Sequence, residues 1–265
     1  MSQSLCTDLV GGVLTLRLNR PGQMNALDSE LIAALGDEIA SASLNRDVRV
    51  LLLTGSGSAF CAGADLDEAR GLSKDPKDFE TWLYSWKKTF SRLETIGKPT
   101  LAVVDGWALA GGLELALACD IVIASESSRL GDVHIRHGLV PGGGGTVRLP
   151  DAVGRRVARW LMFTGAIITA REAMGIGLVQ AVFSDDEFNV KVQELAAGIS
   201  RASAPALAFM KEMTRVGGDT SDLLSAEIDQ GVLILCGIDA KEGLESFVGK
   251  RTPRFSEAPL SVELP

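Results

Sequence analysis

The chain has 265 residues, a net charge of −8, 46% hydrophobic and 23% charged residues, the make-up of a globular protein with a sizeable core. The acidic balance argues against non-specific nucleic-acid binding, and no apolar run reaches the roughly 20 residues that cross a bilayer. Cys6, Cys61, Cys119 and Cys236 lack metal-ligand spacing, and MSQSLCTDLVGG has neither a signal peptide nor an Arg-rich transit pattern, so reduced thiols in a cytoplasmic protein are expected.

Val13 to Leu18 alternates, with Leu14, Leu16 and Leu18 on one face, and reads as a strand. NRPGQMNAL is a turn, and Asp28 is the N-cap of a helix carrying Leu31, Leu35 and Ile39. Val48 to Gly55 reads as a short buried strand, after which GSGSAFCAGADLDEA breaks regularity. The polar segment Gly71 to Asp78 is expected to be mobile. Phe79, Trp82, Leu83, Trp86, Phe90 and Leu93 signal a helix whose aromatic stripe reads as core or subunit contact; Gly97 and Pro99 end it. TLAVVDG is a strand, GGLELALAC a small-residue helix and DIVIA a further strand. Thr169 and Glu172 form a capping box, and LVQAVF is a lone strand after it. Helices follow over Asp185 to Ile199, Pro205 to Arg215 and Asp222 to Leu235, with a last one from near Asp239. Early alternation and late helices predict an α/β fold with a helical C-terminal region.

Two loops carry the chemistry, AFCAGADL (Ala59 to Leu66) and GWALAGGLELALACD (Gly106 to Asp120). Neither has phosphate-loop spacing. Gly111 would open a helix, where its N–H has no helical partner and the dipole favours a developing oxyanion. Ala64 supplies a second N–H if the loops face each other. Glu114 lies three residues after Gly111, on the same helical face, among apolar neighbours. Spacing alone leaves two readings open, a functional carboxylate beside the donor and a solvated first-turn glutamate. Both histidines, His134 and His137, precede the run Gly142 to Gly145. If GDVH is extended, Asp132 shares a face with His134 and orients its imidazole.

At these motifs the chain resembles the crotonase (enoyl-CoA hydratase/isomerase) superfamily. LNRPGQMNAL, GSGSAFCAGADLDE, DGWALAGGLELALACDIVIAS, GLVPGGGGTVRLPDAVG, TAREAMGIGLVQAVF and EGLESFVGKRTPRF match in order, from Val13 to Phe255. The resemblance implies a spiral of ββα units over residues 1–200, and a helical trimerisation region over 201–265 in homotrimers or dimers of trimers. It implies an acyl-CoA substrate contacted by Ala62, Ala64, Asp65, Leu66 and Gly111, with the Ala64 and Gly111 N–H groups as the oxyanion hole. Many members have a lysine where this chain has Asp67, so the likeness does not carry that adenine-side contact. Lys250, Arg251 and Arg254 read either as CoA-phosphate contacts or, with slight preference, as a solvated basic tail.

The likeness makes Glu114 the first acid/base group and puts His134 where hydratases carry a second glutamate; His137 has no match and reads as a surface residue. The alternative for His134 is a pocket-lining residue that transfers no proton. The implied activity is water addition to a 2-enoyl-CoA, with coenzyme A as part of the substrate, no other cofactor and no metal. The alternatives are double-bond isomerisation, other CoA-thioester chemistry, or non-catalytic acyl-CoA binding.

Overall fold

The computed structural model describes residues 4–215, 217 and 220–255. The first three residues, and the last ten of the expected trimerisation region, lie outside the described residues.

From β3 to β8, successive strands alternate between two sheets. The first contains β1 (Leu5–Val10), β2 (Val13–Leu18), β3 (Val50–Gly55), β5 (Thr100–Val104), β7 (Ile121–Ser125) and β10 (Ala181–Phe183), in that order. The second contains β4 (Ala59–Cys61), β6 (Trp107–Leu109), β8 (Arg129–Gly131) and β9 (Ile168–Thr169). Each of β3, β5 and β7 is followed by a strand of the smaller sheet. After β4 come α2 (Leu66–Leu72) and α3 (Pro76–Thr95); after β6 comes α4 (Gly111–Leu117). Repetition of strand, strand and helix, with parallel pairing of β3, β5 and β7 and of β4, β6 and β8, is the expected spiral.

Sequence alternation decides what each face of the larger sheet buries. Leu14, Leu16, Leu18, Leu51 and Leu53 join the main core with α1 (Ser29–Leu44) and α3. Val13, Val50, Leu52, Leu101 and Ile123 face the other way, against Phe188, Val192 and Ala196 of α8 (Phe188–Ser200). Covering both faces explains the continuous apolar run of β3. Burial of side chains this size contributes roughly 1.5–3 kcal/mol each.

Some expectations need correction, and some elements are ones the sequence reading left unassigned. LCTDLV is a strand, antiparallel to β2, and all but its first residue are exposed or nearly so. An exposed edge needs no apolar alternation, so none marked it. Gly71 to Asp78 is largely helical: α2 runs to Leu72, and α3 begins at Pro76 with the Asp75 side chain accepting from the Lys77 N–H. An Asp N-cap followed by Pro is a strong start signal. The strand in LVQAVF is not isolated, because β10 pairs with β7. The Gly/Pro-rich stretch after Gly144 forms α5 (Gly145–Val153), with Pro150 inside it, and α6 (Arg155–Thr164). GDVH is not extended: Val133 has φ −102° and ψ 10°, and His134 opens a 3-10 turn.

The C-terminal helices are α9 (Ala204–Arg215), α10 (Thr220–Leu235) and α11 (Ile238–Val248), after the short α7 (Ala170–Gly175) with its expected capping box. Lys211 docks α9 on the core, donating to the Leu93 and Lys98 carbonyls and pairing with Asp120 at 2.8 Å.

Candidate active site

The loop after β4 and the start of α4 lie against each other. Ala62, Leu27 and Asp65 N–H groups donate to Met24, Gly63 and Leu27 carbonyls, which fixes the loop beside the Met24–Leu27 segment. Between these bonds the Ala64 N–H has no acceptor among the described residues, and neither has the N–H of Gly111. A Cβ on Gly63 would lie 3.0 Å from the Gly111 nitrogen, so the two turns touch. A Cβ on Gly112 would lie 2.0 Å from the Cys61 carbonyl oxygen; only glycine lets α4 approach β4 this closely. Ala110, which precedes α4, has φ 48° and ψ −120°, a conformation rarely entered by a residue with a Cβ. Such strain collects at functional sites and costs on the order of 1–3 kcal/mol.

Both turns border a cavity of about 510 Å³ whose wall includes Ala62, Ala64, Asp65, Leu66, Ala110 and His134. The Asp65 carboxylate is engaged within the fold, accepting from the Asp67 and Glu68 N–H groups and from Arg20. Burial pushes its pKa up, but these donors and the Arg20 charge outweigh burial and hold it below the usual value. Arg20 also pairs with Asp28, which in turn caps α1 by accepting from the Leu31 N–H. His137 is exposed but borders the same cavity.

Glu114 is 2% exposed, which removes the solvated-cap reading. Its Oε1 accepts from the Gly143 and Gly145 N–H groups at 2.8 and 2.7 Å. Its Oε2 stands 3.7 Å from His134 Nε2. On the other side of the imidazole, Nδ1–H donates to Asp132 Oδ1 at 2.7 Å. The expected Asp132–His134 contact therefore exists, produced by a turn rather than by strand alternation. Burial pushes the Glu114 carboxyl above its ordinary range, more strongly than the two N–H donors and the neighbouring imidazole pull it down. Burial pulls His134 down, but the hydrogen bond and charge of Asp132, with the charge of Glu114, more than reverse this, and its pKa is raised. A buried carboxyl and an imidazole, both shifted toward holding a proton, are suited to passing one near neutral pH. Among the described residues, no three His, Cys, Asp or Glu side chains are arranged to hold a metal ion.

The two N–H donors on Glu114 lie outside the sequence expectations. The signal was the run Gly142 to Gly145, whose backbone is bare enough to wrap a carboxylate. The basic tail separates: Arg251 binds Glu242 with both guanidinium arms, and the Arg254 N–H joins them, while Lys250 is exposed.

A family model described as enoyl-CoA hydratase/isomerase matches residues 9–258. The chain is 37% identical over 246 residues to the 2,3-dehydroadipyl-CoA hydratase of Escherichia coli, covering 92% of this chain and 94% of that protein. It is 35% identical over 244 residues to the crotonyl-CoA hydratase of Syntrophomonas wolfei, covering 91% and 93%. The crystal structure of an enoyl-CoA hydratase from Bacillus anthracis superposes with a TM-score of 0.91 at 34% identity, over 96% of this chain and 99% of that one.

Proposed function

The chain belongs to the enoyl-CoA hydratase/isomerase family, and from that membership we propose that it adds water to the double bond of a 2-enoyl-CoA. The thioester oxygen, which gains negative charge as the enolate forms, accepts from the Ala64 and Gly111 N–H groups. Glu114 takes a proton from the attacking water, whose oxygen bonds to Cβ. His134 delivers a proton to Cα through Nε2. The two groups exchange the proton afterwards, so the cycle needs only water and the substrate. Asp132 accepts from Nδ1–H and so keeps Nε2, the nitrogen that gives and regains the proton, toward Glu114. Ala62, Asp65 and Leu66 contact the substrate along the cavity wall.

The observation that carries this reading is the 3.7 Å approach of Glu114 Oε2 and His134 Nε2 beside two N–H groups without acceptors among the described residues. Crotonyl-CoA tests it. Loss of enoyl absorbance on adding enzyme, abolished by Glu114→Gln, is the expected result. No loss, with rising absorbance from a 3-enoyl-CoA, identifies an isomerase instead; binding with neither change identifies a non-catalytic protein.

The working assembly in this reading is a homotrimer or a dimer of trimers. Leu224, Ile228, Val232 and Leu235 form an exposed apolar stripe at helical spacing along α10, and Phe247 and Val248 end α11 exposed. Patches of this kind mark association surfaces. The cytoplasm is the proposed compartment, because Cys6 and Cys236 are exposed free thiols, which oxidising surroundings would attack.

A further inference from the structure

We infer that Arg148 and Glu94 are positioning residues for Glu114: together they fix the glycine turn whose N–H groups hold Glu114 Oε1, and so keep Oε2 toward His134. The inference rests on the acid/base reading of Glu114 given above.

The geometry is a clamp with the glycine turn in its jaws. On one side, Glu114 Oε1 accepts from the N–H groups of Gly143 and Gly145. On the other, Arg148 on α5 donates through one terminal nitrogen to the Gly143 carbonyl at 2.6 Å. Its other two nitrogens donate to the two carboxylate oxygens of Glu94 on α3, at 2.6 and 2.8 Å. This two-pronged pairing fixes the plane of the guanidinium as well as its place. Between the jaws, Gly144 has φ +106°, and a Cβ on it would lie 2.0 Å from the Arg148 nitrogen. The turn takes its shape around the guanidinium, and that shape presents two N–H groups to one carboxylate oxygen.

The Arg148 guanidinium is engaged by Glu94 and the Gly143 carbonyl, and neither Arg148 nor Glu94 borders the cavity lined by His134. Their influence runs through Glu114. The charged groups facing that carboxylate are His134 and Asp132. Helix α3 adds the Phe90 ring against Gly143 and, behind the turn, Glu94; α5 adds Arg148. Losing the clamp frees the turn and lengthens the two N–H bonds that favour the ionised carboxylate, so Glu114 ionises at higher pH.

The test measures crotonyl-CoA turnover against pH for full-length Arg148→Met, Glu94→Gln and Glu114→Gln, with thermal melting of each. In Arg148→Met we expect kcat to fall roughly ten- to a hundred-fold, the range for lost hydrogen bonds to a charged group. KM should stay within about threefold, since substrate contacts persist. The acid limb of kcat/KM should move to higher pH. Glu94→Gln should move it the same way by less, and it carries the test if Arg148→Met does not fold. An acid limb unchanged in the folded variants, whatever the melting temperatures do, overturns the inference and leaves Arg148 a structural staple. Turnover retained in Glu114→Gln would instead sink the reading of Glu114 itself.

Discussion

Glu114 and His134 are both displaced from their ordinary protonation, and the displacements act on stability as well as chemistry. The folded pKa of Glu114 lies above its usual 4.5, with burial the main cause. Between pH 4.5 and its raised folded value the folded state keeps a proton that the unfolded chain has lost, and stability falls as pH rises through that window. Glu114→Gln should melt higher than the parent near neutral pH, with the gap closing as pH drops through 4.5. The same variant should lose turnover, a trade of stability against function. His134 acts with the same sign in a higher pH window, here through a stabilising charge rather than a costly one. Burial lowers its pKa, but Asp132 and Glu114 raise it above 6.5 overall, so its contribution to stability is present below 6.5 and is lost as pH rises through the folded value. The melting temperature of the parent relative to His134→Ala should decline across that window. His134→Ala should also lower kcat by about 100-fold or more, the scale of general acid–base catalysis, while isothermal titration with a CoA thioester finds affinity little changed. Near-normal turnover would leave His134 a wall residue.

At the scale of the element, local chemistry set some boundaries and close approach set others. Asp28 before α1 and the Thr169–Glu172 box before α7 were legible because an N-cap acts on the next few residues alone. Asp28→Ala should cost about 1 kcal/mol or somewhat more in urea unfolding, since it removes a cap and also a partner of Arg20. The start of α4 is different. Nothing in the sequence distinguishes Gly112 from the other glycines, yet a Cβ there would lie 2.0 Å from the Cys61 carbonyl oxygen. Gly112→Ala should destabilise by roughly 1–3 kcal/mol, the range for overpacking, and should depress kcat by moving Gly111 off the carbonyl it is proposed to hold. A variant with full stability and activity would show that α4 tolerates displacement. Strand β1 and helices α5 and α6 escaped the sequence reading for physical reasons: β1 buries little, and glycine and proline mask the helical period of the other two.

For the whole molecule, the apolar stripe on α10 and the end of α11 are the features a single chain leaves unexplained. Burying them between copies fits the proposed trimer. Ile228→Glu combined with Val232→Glu places two charges in that stripe, where an unpaired charge is costly to bury. Light scattering after gel filtration should show the assembly falling to monomer, with the far-ultraviolet dichroism retained. An unchanged mass would move the interface elsewhere. The division at residue 200 rests on this same expectation, although Lys211 and the Arg49–Ala202 bond tie the start of the helical region to the core.

By itself the sequence determined the family, the α/β order of most elements, the caps at Asp28 and Thr169 and the residue types gathered at the site. These follow from periodicity, short-range bonding and ordered motifs, all of which are local in the chain. Only the tertiary structure decided that Glu114 is buried, that its carboxylate is held by Gly143 and Gly145, and that His134 stands beside it with Asp132 behind. Those contacts join positions up to 31 residues apart, and the strand spiral, not any local pattern, closes that distance. A side chain's protonation depends on what surrounds it in space, so the chemistry at Glu114 was fixed only when the glycine turn folded against α4.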